Sequence, residues 1–145
     1  MYLIETDLTY SLALDPKRQA LAAQIFSAAT TGKIQLCIST LCLQEIDLLL
    51  KTRQIKTQVA NQEIIRLLIE AFEKYGVPEC PTLAKDTLQS IRLREKYGLT
   101  FYDSYYAAQA QRLGATLLSL DRAYSRVKEI QYKDPQELAK QLSEQ

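Results

Sequence analysis

The hydrophobic positions of this chain change period as they run. Three short, largely apolar stretches, YLIE (2–5), IQLCIS (34–39) and ATLLSLD (115–121), alternate with longer segments whose apolar residues recur every three to four positions. The first kind reads as strands buried on both faces, the second as helices with one buried stripe. After the first strand, LTYSLALDP predicts a short helix stopped before Pro16. Asp15-Pro16 opens a second helix over 17–31, ended by Gly32. Ser39 or Thr40 caps a helix over 41–53. A long helix is expected at roughly 56–75, with Val59, Ile64, Leu67, Leu68, Ala71 and Phe72 as its stripe and Gly76 as its stop. A brief strand at 77–79 precedes an amphipathic helix at 82–97, stopped by Gly98. Thr100 starts the helix TFYDSYYAAQAQRLG, which Gly114 ends. Beyond the strand ATLLSLD, a short helical turn through Tyr124 leads to an edge strand, VKEIQY, and Asp134-Pro135 opens the last helix.

Strands alternating with helices predict a parallel sheet flanked by helices on both faces. No linker, repeat or low-complexity stretch divides the 145 residues, so one domain over 1–145 is expected. A composition 47% hydrophobic and 24% charged belongs to a soluble globular protein. No apolar run approaches a membrane span, and Glu5 and Asp7 come too early for a signal peptide, so a cytoplasmic protein is expected. A net charge of +1 supplies no global basic field. Nucleic-acid binding would therefore rest on local patches: Lys51, Arg53 and Lys56; Arg92, Arg94 and Lys96; Arg122, Arg126 and Lys128. Each of these also reads as a solvated helix face. Of the three cysteines, Cys37 and Cys42 sit in apolar context and read as small hydrophobes. The chain has no histidine, which excludes Ser-His-Asp and Cys-His catalysis and Cys/His zinc sites. Acid–base work must fall to carboxylates, lysine, tyrosine or metal-bound water. The nine tyrosines read mainly as packing, with base stacking as the alternative.

Ligands of open α/β sheets bind at the carboxyl ends of the strands. Glu5 and Asp7 lie at the end of the first strand, Glu45 in the second turn of the helix after the second, and Asp121 at the end of TLLSL. Asp103 opens an alanine-rich helix and shares a face with Ala107 and Ala110, whose small side chains suit close packing on the sheet. Each acid also has an ordinary reading. Asp121 caps the turn DRAY, Asp103 forms a capping box with Thr100, Asp7 caps the first helix, and Asp47 is a surface residue. Glu45 is harder to place, because it lies among Leu41, Leu48 and Leu49, where a structural charge needs a Lys or Arg partner. Taken together the acids form a pocket that repels itself unless a divalent cation fills it. All-oxygen ligands suit Mg²⁺ or Mn²⁺, so metal-assisted phosphodiester chemistry is the leading reading, with Glu5, Asp7, Glu45, Asp103 and Asp121 as candidate ligands.

The segments YLIETDLTYSL, STLCLQEIDLLL and LTFYDSYYAAQAQRLGATLLSLDRAY carry a resemblance to PIN-domain proteins, most of all to the VapC-type toxins of prokaryotic toxin–antitoxin pairs. It covers roughly residues 1–130. Its most specific part is an Asp opening an alanine-rich helix, followed by Gly, a strand and a second Asp. The resemblance implies a three-layer α/β/α sandwich with a parallel sheet of order 3-2-1-4-5. It also implies Mg²⁺- or Mn²⁺-dependent cleavage of RNA, with Glu5, Glu45, Asp103 and Asp121 as catalytic metal-binding acids. Ser39 and Ser119 match positions where the family often carries a small hydroxyl residue. A small antitoxin protein covering the pocket and a homodimer are the implied partners.

One departure bears on activity. The family usually opens Asp-Thr-Asn, and this chain has Glu5-Thr6-Asp7. The longer Glu5 displaces its carboxylate, and misplacement of about 1 Å can cost about 10²-fold in rate. The alternative reading is therefore a PIN-like module with weakened catalysis that binds RNA or a protein. ETDLT also resembles the opening of HAD-type phosphatases. There the first Asp is the nucleophile, which Glu5 would misplace, and LSLDRAY lacks the paired acids expected later.

Overall fold

A computed structural model describes all residues from Met1 to Gln145. Its architecture is built outward from β1 (Tyr2–Ile4), whose Leu3 and Ile4 are fully buried. A strand buried on both faces needs partners along both edges and helices above and below. β1 pairs in parallel with β2 (Leu36–Ser39) on one side and with β4 (Thr116–Leu118) on the other. β3 (Glu79–Cys80) and β5 (Gln131–Lys133) complete a five-stranded parallel sheet of order β3-β2-β1-β4-β5, the predicted order.

The chain steps outward from β1 to β2 and β3, then returns past β1 to β4. Helices α1 (Thr6–Ser11) and α2 (Gln19–Thr30) make the first crossover, and α3 (Leu41–Lys51) and α4 (Asn61–Tyr75) the second. The return runs through α5 (Ala84–Tyr97) and α6 (Phe101–Leu113). Right-handed crossovers place outward and returning connections on opposite faces, which gives the three-layer α/β/α arrangement. A 3₁₀ helix (Arg122–Arg126) joins β4 to β5, and α7 (Pro135–Ser143) packs back on α2. No helix is long and apolar enough to cross a membrane.

Register positions the site. Ile4 pairs with Ile38 on β2 and with Leu118 on β4, so Glu5, Ser39 and Ser119 lie one step further along at a common level. The strand order reverses between β1 and β4, and crevices for ligands form at such reversals.

Several boundaries differ from expectation. The long helix starts at Asn61 rather than 56. Arg53 adopts φ 57, and the amides of Gln54 and Ile55 both turn back to the Leu49 carbonyl, which stops α3 and leaves 52–60 as a connection. Val59 therefore lies outside the helix, and both it and Leu67 are exposed, while Ile64, Leu68 and Phe72 form the buried stripe. The second helix starts at Gln19, because Asp15 accepts from the Lys17 amide and makes a turn first. The helix expected from 82 starts at Ala84, where the Asp86 carboxylate reaches back to the Leu83 amide. Ser39, rather than Thr40, supplies the side chain at the start of α3, accepting from the Leu41 amide. The edge strand is only Gln131–Lys133. Cys37 and Cys42 are buried and unpaired, as small hydrophobes are.

α6 is tied to the β3 edge and to α5 by a polar clamp. Arg112 Nε donates to Asp86 Oδ1 at 2.8 Å, and Gln109 Nε2 donates to the Cys80 carbonyl at 2.7 Å. Asp86 is 2% exposed, so removing it leaves the Arg112 charge without its partner and the Leu83 amide without its cap. Asp86→Ala is expected to lower unfolding free energy by about 3 kcal/mol in urea denaturation; a loss below about 1 kcal/mol would mean that solvent screens the pair.

Candidate active site

The five acids approach the carboxyl edge of the sheet from four elements. Glu5 follows β1 directly and is 5% exposed. It, rather than Asp7, caps α1, with Oε1 accepting from the Asp7 amide at 3.3 Å. Its other oxygen, Oε2, accepts from the Tyr124 hydroxyl at 2.9 Å.

Asp7 does something the sequence did not suggest. From the first turn of α1, it reaches across the strand-order reversal to the segment after β4. Its Oδ2 accepts from the Ser119 hydroxyl at 3.0 Å and from the Leu120 amide at 2.8 Å. Its Oδ1 is buried with no hydrogen-bond partner.

Glu45 has no Lys or Arg partner. Its carboxylate accepts from Thr6 Oγ1 at 3.2 Å and from the Tyr106 hydroxyl at 3.5 Å, and these two hydroxyls lie 2.6 Å apart. Asp103 sits in the first turn of α6. Thr100 Oγ1 caps that helix by accepting from the Asp103 amide at 3.4 Å, and the Thr100 amide donates nothing to the Asp103 carboxylate. Only half of the expected capping box is therefore made, and no backbone amide holds the carboxylate. Asp121 is exposed and caps the 3₁₀ helix, accepting from the Ala123 amide at 2.9 Å. That is its ordinary reading, and it leaves one carboxylate oxygen over. Asp47 is exposed, as expected of a surface acid.

None of the five acids enters an ion pair; the chain's seven pairs all lie elsewhere. Their mutual influence shows in their proton affinities. Burial first, then the neighbouring charges of Asp7 and Asp103, raise the Glu5 carboxyl well above its ordinary range, against the Tyr124 hydroxyl, which lowers it. Burial pushes Glu45 up to about 7, with Asp103 and Asp7 adding to the rise and the hydroxyls of Thr6 and Tyr106 opposing it. Burial likewise raises Asp103; the Thr100 and Tyr124 hydroxyls pull it back, and Asp121 and Asp7 add repulsion. Three carboxyls are thus pushed toward neutrality by burial and by one another, with no cation to relieve them.

The residues fit a hard divalent cation by three criteria: an all-oxygen donor set, mutual repulsion, and the unsatisfied Asp7 Oδ1 buried among them. They do not already stand as a closed group of three metal ligands. An arriving ion would have to draw in the partly exposed Glu45 and Asp103 and the exposed Asp121.

Three residues that matter here were passed over in the sequence. From the sequence alone Thr6 has no assigned role, and Tyr106 and Tyr124 fall among the tyrosines that read mainly as packing. Tyr106 and Tyr124 are fully buried, yet each aims its hydroxyl at a carboxylate. The available signal was spacing: Tyr106 lies one helical turn after Asp103 and Tyr124 three residues after Asp121.

Comparison with known proteins agrees with the fold. The family model described as PIN domain matches residues 2–130. Among solved structures, VapBC2 from Rickettsia felis, bound to a DNA fragment from its promoter, matches with TM-score 0.68 at 18% identity, covering 92% of this chain and 97% of that one. VapC20 from Mycobacterium tuberculosis, described as a sarcin–ricin loop cleaving toxin, matches with TM-score 0.67 at 15% identity over 90% and 99%. PAE2754 from Pyrobaculum aerophilum matches with TM-score 0.64 at 26% identity over 99% and 90%. Comparison with curated protein sequences finds no match.

A carboxyl that holds its proton more tightly folded than unfolded stabilises the protein most at low pH. For Glu45 that contribution is complete below about 4.5 and is lost as pH rises through about 7. In metal-free buffer the melting temperature is expected to fall across that window, with Glu5 contributing in the same direction. Glu45→Gln should flatten the profile; a mutant with the wild-type slope would remove Glu45 from the account.

Proposed function

The chain belongs to the PIN-domain family, whose members are generally nucleases, and from that premise we propose that it is a metal-dependent endoribonuclease acting as the toxin of a toxin–antitoxin pair. The observation that carries this reading is the group of five carboxylates without a basic partner at the strand-order reversal, where burial and repulsion have already raised the proton affinity of three of them. The structural neighbours that are VapBC and FitAB toxin–antitoxin complexes support a small antitoxin as the partner. The homodimer expected from the sequence resemblance belongs to this proposal too.

Glu5, Asp103 and Asp121 would hold Mg²⁺ or Mn²⁺, with the free Asp7 Oδ1 adding a fourth oxygen. The ion, when bound, supplies a water of lowered pKa as nucleophile and offsets charge at the phosphate. Tyr124 fixes Glu5, and Ser119 and the Leu120 amide fix Asp7, so the buried half of the site is held in place before an ion arrives. Glu45, with a carboxyl pushed up to about 7, is placed to exchange a proton near neutral pH, steadied by Thr6 and Tyr106. Single-stranded or looped RNA is the substrate class, because its backbone and bases can reach an open pocket.

Glu5 favours a second reading. Both of its oxygens already have hydrogen-bond partners and burial favours its neutral form, as in a PIN-like module that binds RNA or a protein with weakened catalysis.

One experiment separates the two readings. A labelled RNA of mixed structure is incubated with the protein and Mg²⁺, Mn²⁺ or EDTA, beside Asp103→Asn, while melting temperature is followed in the same buffers. The nuclease reading expects metal-dependent cleavage, a loss of about 100-fold or more in Asp103→Asn, and a metal-induced rise in melting temperature that the mutant lacks. RNA binding with neither cleavage nor a metal-induced rise would select the binding module.

A further inference from the structure

Phe101 is the most exposed large hydrophobic residue of the chain, at 57%, and it lies two residues before Asp103. It is not isolated. The Tyr102 ring meets it edge to face with centroids 5.3 Å apart, and the Tyr105 ring lies tilted against it at 5.2 Å. The Arg94 guanidinium sits over the Phe101 ring at 5.2 Å, and its Nη1 donates to Ser104 Oγ at 3.0 Å, so it is held there without entering any ion pair.

The aromatic series continues inward. Tyr102 stacks on Tyr106 with centroids 6.4 Å apart, and Tyr106 carries the hydroxyl that touches Glu45. Successive side chains on a helix are about 100° apart, so residues 101 and 105, then 102 and 106, then 103 follow one another around α6 from solvent to the acid pocket. Aromatic rings left in water beside a steadied cation are costly for a surface that has nothing to bind. A nucleotide offers both complements: a flat base for the rings and a phosphate for the guanidinium.

We infer that Phe101 and Tyr102, with Arg94, form a stacking platform that takes an unpaired base of single-stranded RNA next to the carboxylates. This inference rests on the ribonuclease reading and narrows it, since the strand would have to present at least one unstacked base beside the bond that is cleaved. Stacking is tolerant of base identity, so the platform selects for strand flexibility more than for sequence.

The test is equilibrium binding of a labelled single-stranded oligoadenylate in EDTA, followed by fluorescence anisotropy, for the wild-type protein and for Phe101→Ala, Phe101→Trp, Phe101→Leu and Arg94→Gln. Phe101 is exposed, so its variants are expected to fold. Phe101→Ala should weaken binding by about tenfold to a hundredfold without changing its salt dependence. Phe101→Trp should restore binding and Phe101→Leu should not. Arg94→Gln should weaken binding and make it less sensitive to salt. In cleavage assays Phe101→Ala should raise KM and leave kcat unchanged. Wild-type affinity in Phe101→Ala, or equal rescue by Leu and Trp, would overturn the platform while leaving the nuclease reading intact. So would a change in oligomeric state in Phe101→Ala at unaltered RNA affinity, which would make the face a contact between copies. A wild-type protein that neither binds nor cleaves RNA would overturn both.

Discussion

Everything at the working edge of this fold follows from carboxylates placed near one another without a cation. A buried charge is ordinarily paired with its opposite, and here the seven ion pairs lie elsewhere. The edge of the sheet instead holds its acids with hydroxyls and amides: Tyr124 on Glu5, Thr6 and Tyr106 on Glu45, Ser119 and the Leu120 amide on Asp7. Hydrogen bonds of this kind fix direction but leave charge in place. Burial first, and then the residual repulsion, raise the proton affinity of Glu5, Glu45 and Asp103, and a divalent ion would relieve the same strain. The three-residue strand β1 is what makes such a pocket possible. Its Leu3 and Ile4 are fully buried, it is flanked on both sides, and it runs in register with both neighbours, so Glu5 is delivered to the same level as Ser39 and Ser119.

The sequence made the scaffold legible because short apolar runs alternate with helical periods, and because Gly76, Gly98 and Gly114 stop their helices in the left-handed conformation that glycine tolerates. It also placed the candidate acids at the carboxyl edge, since acids at strand ends and in early helical turns need no tertiary knowledge to be placed. Their fixings were not legible. Asp7 looked like a helix cap, but Glu5, two residues before it, takes that role and frees Asp7 to bridge to the Ser119 segment, 112 residues away. Tyr106 and Tyr124 looked like packing because a buried ring and a buried ring with an aimed hydroxyl have the same sequence signature. The early start of the long helix, with Val59 in its stripe, failed for a different reason. Arg53 in a left-handed conformation ends α3 and makes 52–60 a connection, a tertiary choice that hydrophobic spacing cannot express.

The opening Glu5-Thr6-Asp7, where the family usually has Asp-Thr-Asn, can be judged from these contacts. The longer Glu5 is not left dangling: one oxygen closes the start of α1 and the other meets Tyr124, so the extra methylene is taken up in reaching the 3₁₀ helix. Asp at position 7 changes the charge of the site. An Asn could accept the same two hydrogen bonds through its single carbonyl oxygen, but its amide would then place two donors where Asp7 has the unpartnered Oδ1. Those donors would satisfy a neighbouring carboxylate. Asp7 adds a further acceptor and a further charge instead. Unless a proton or a cation is bound, this makes the folded pocket more costly, and it makes a cation more strongly held when one arrives. Glu5 thus keeps the charge of the Asp it replaces, while Asp7 adds one, and a bound cation would couple more strongly to the stability of this site than to that of a four-acid pocket.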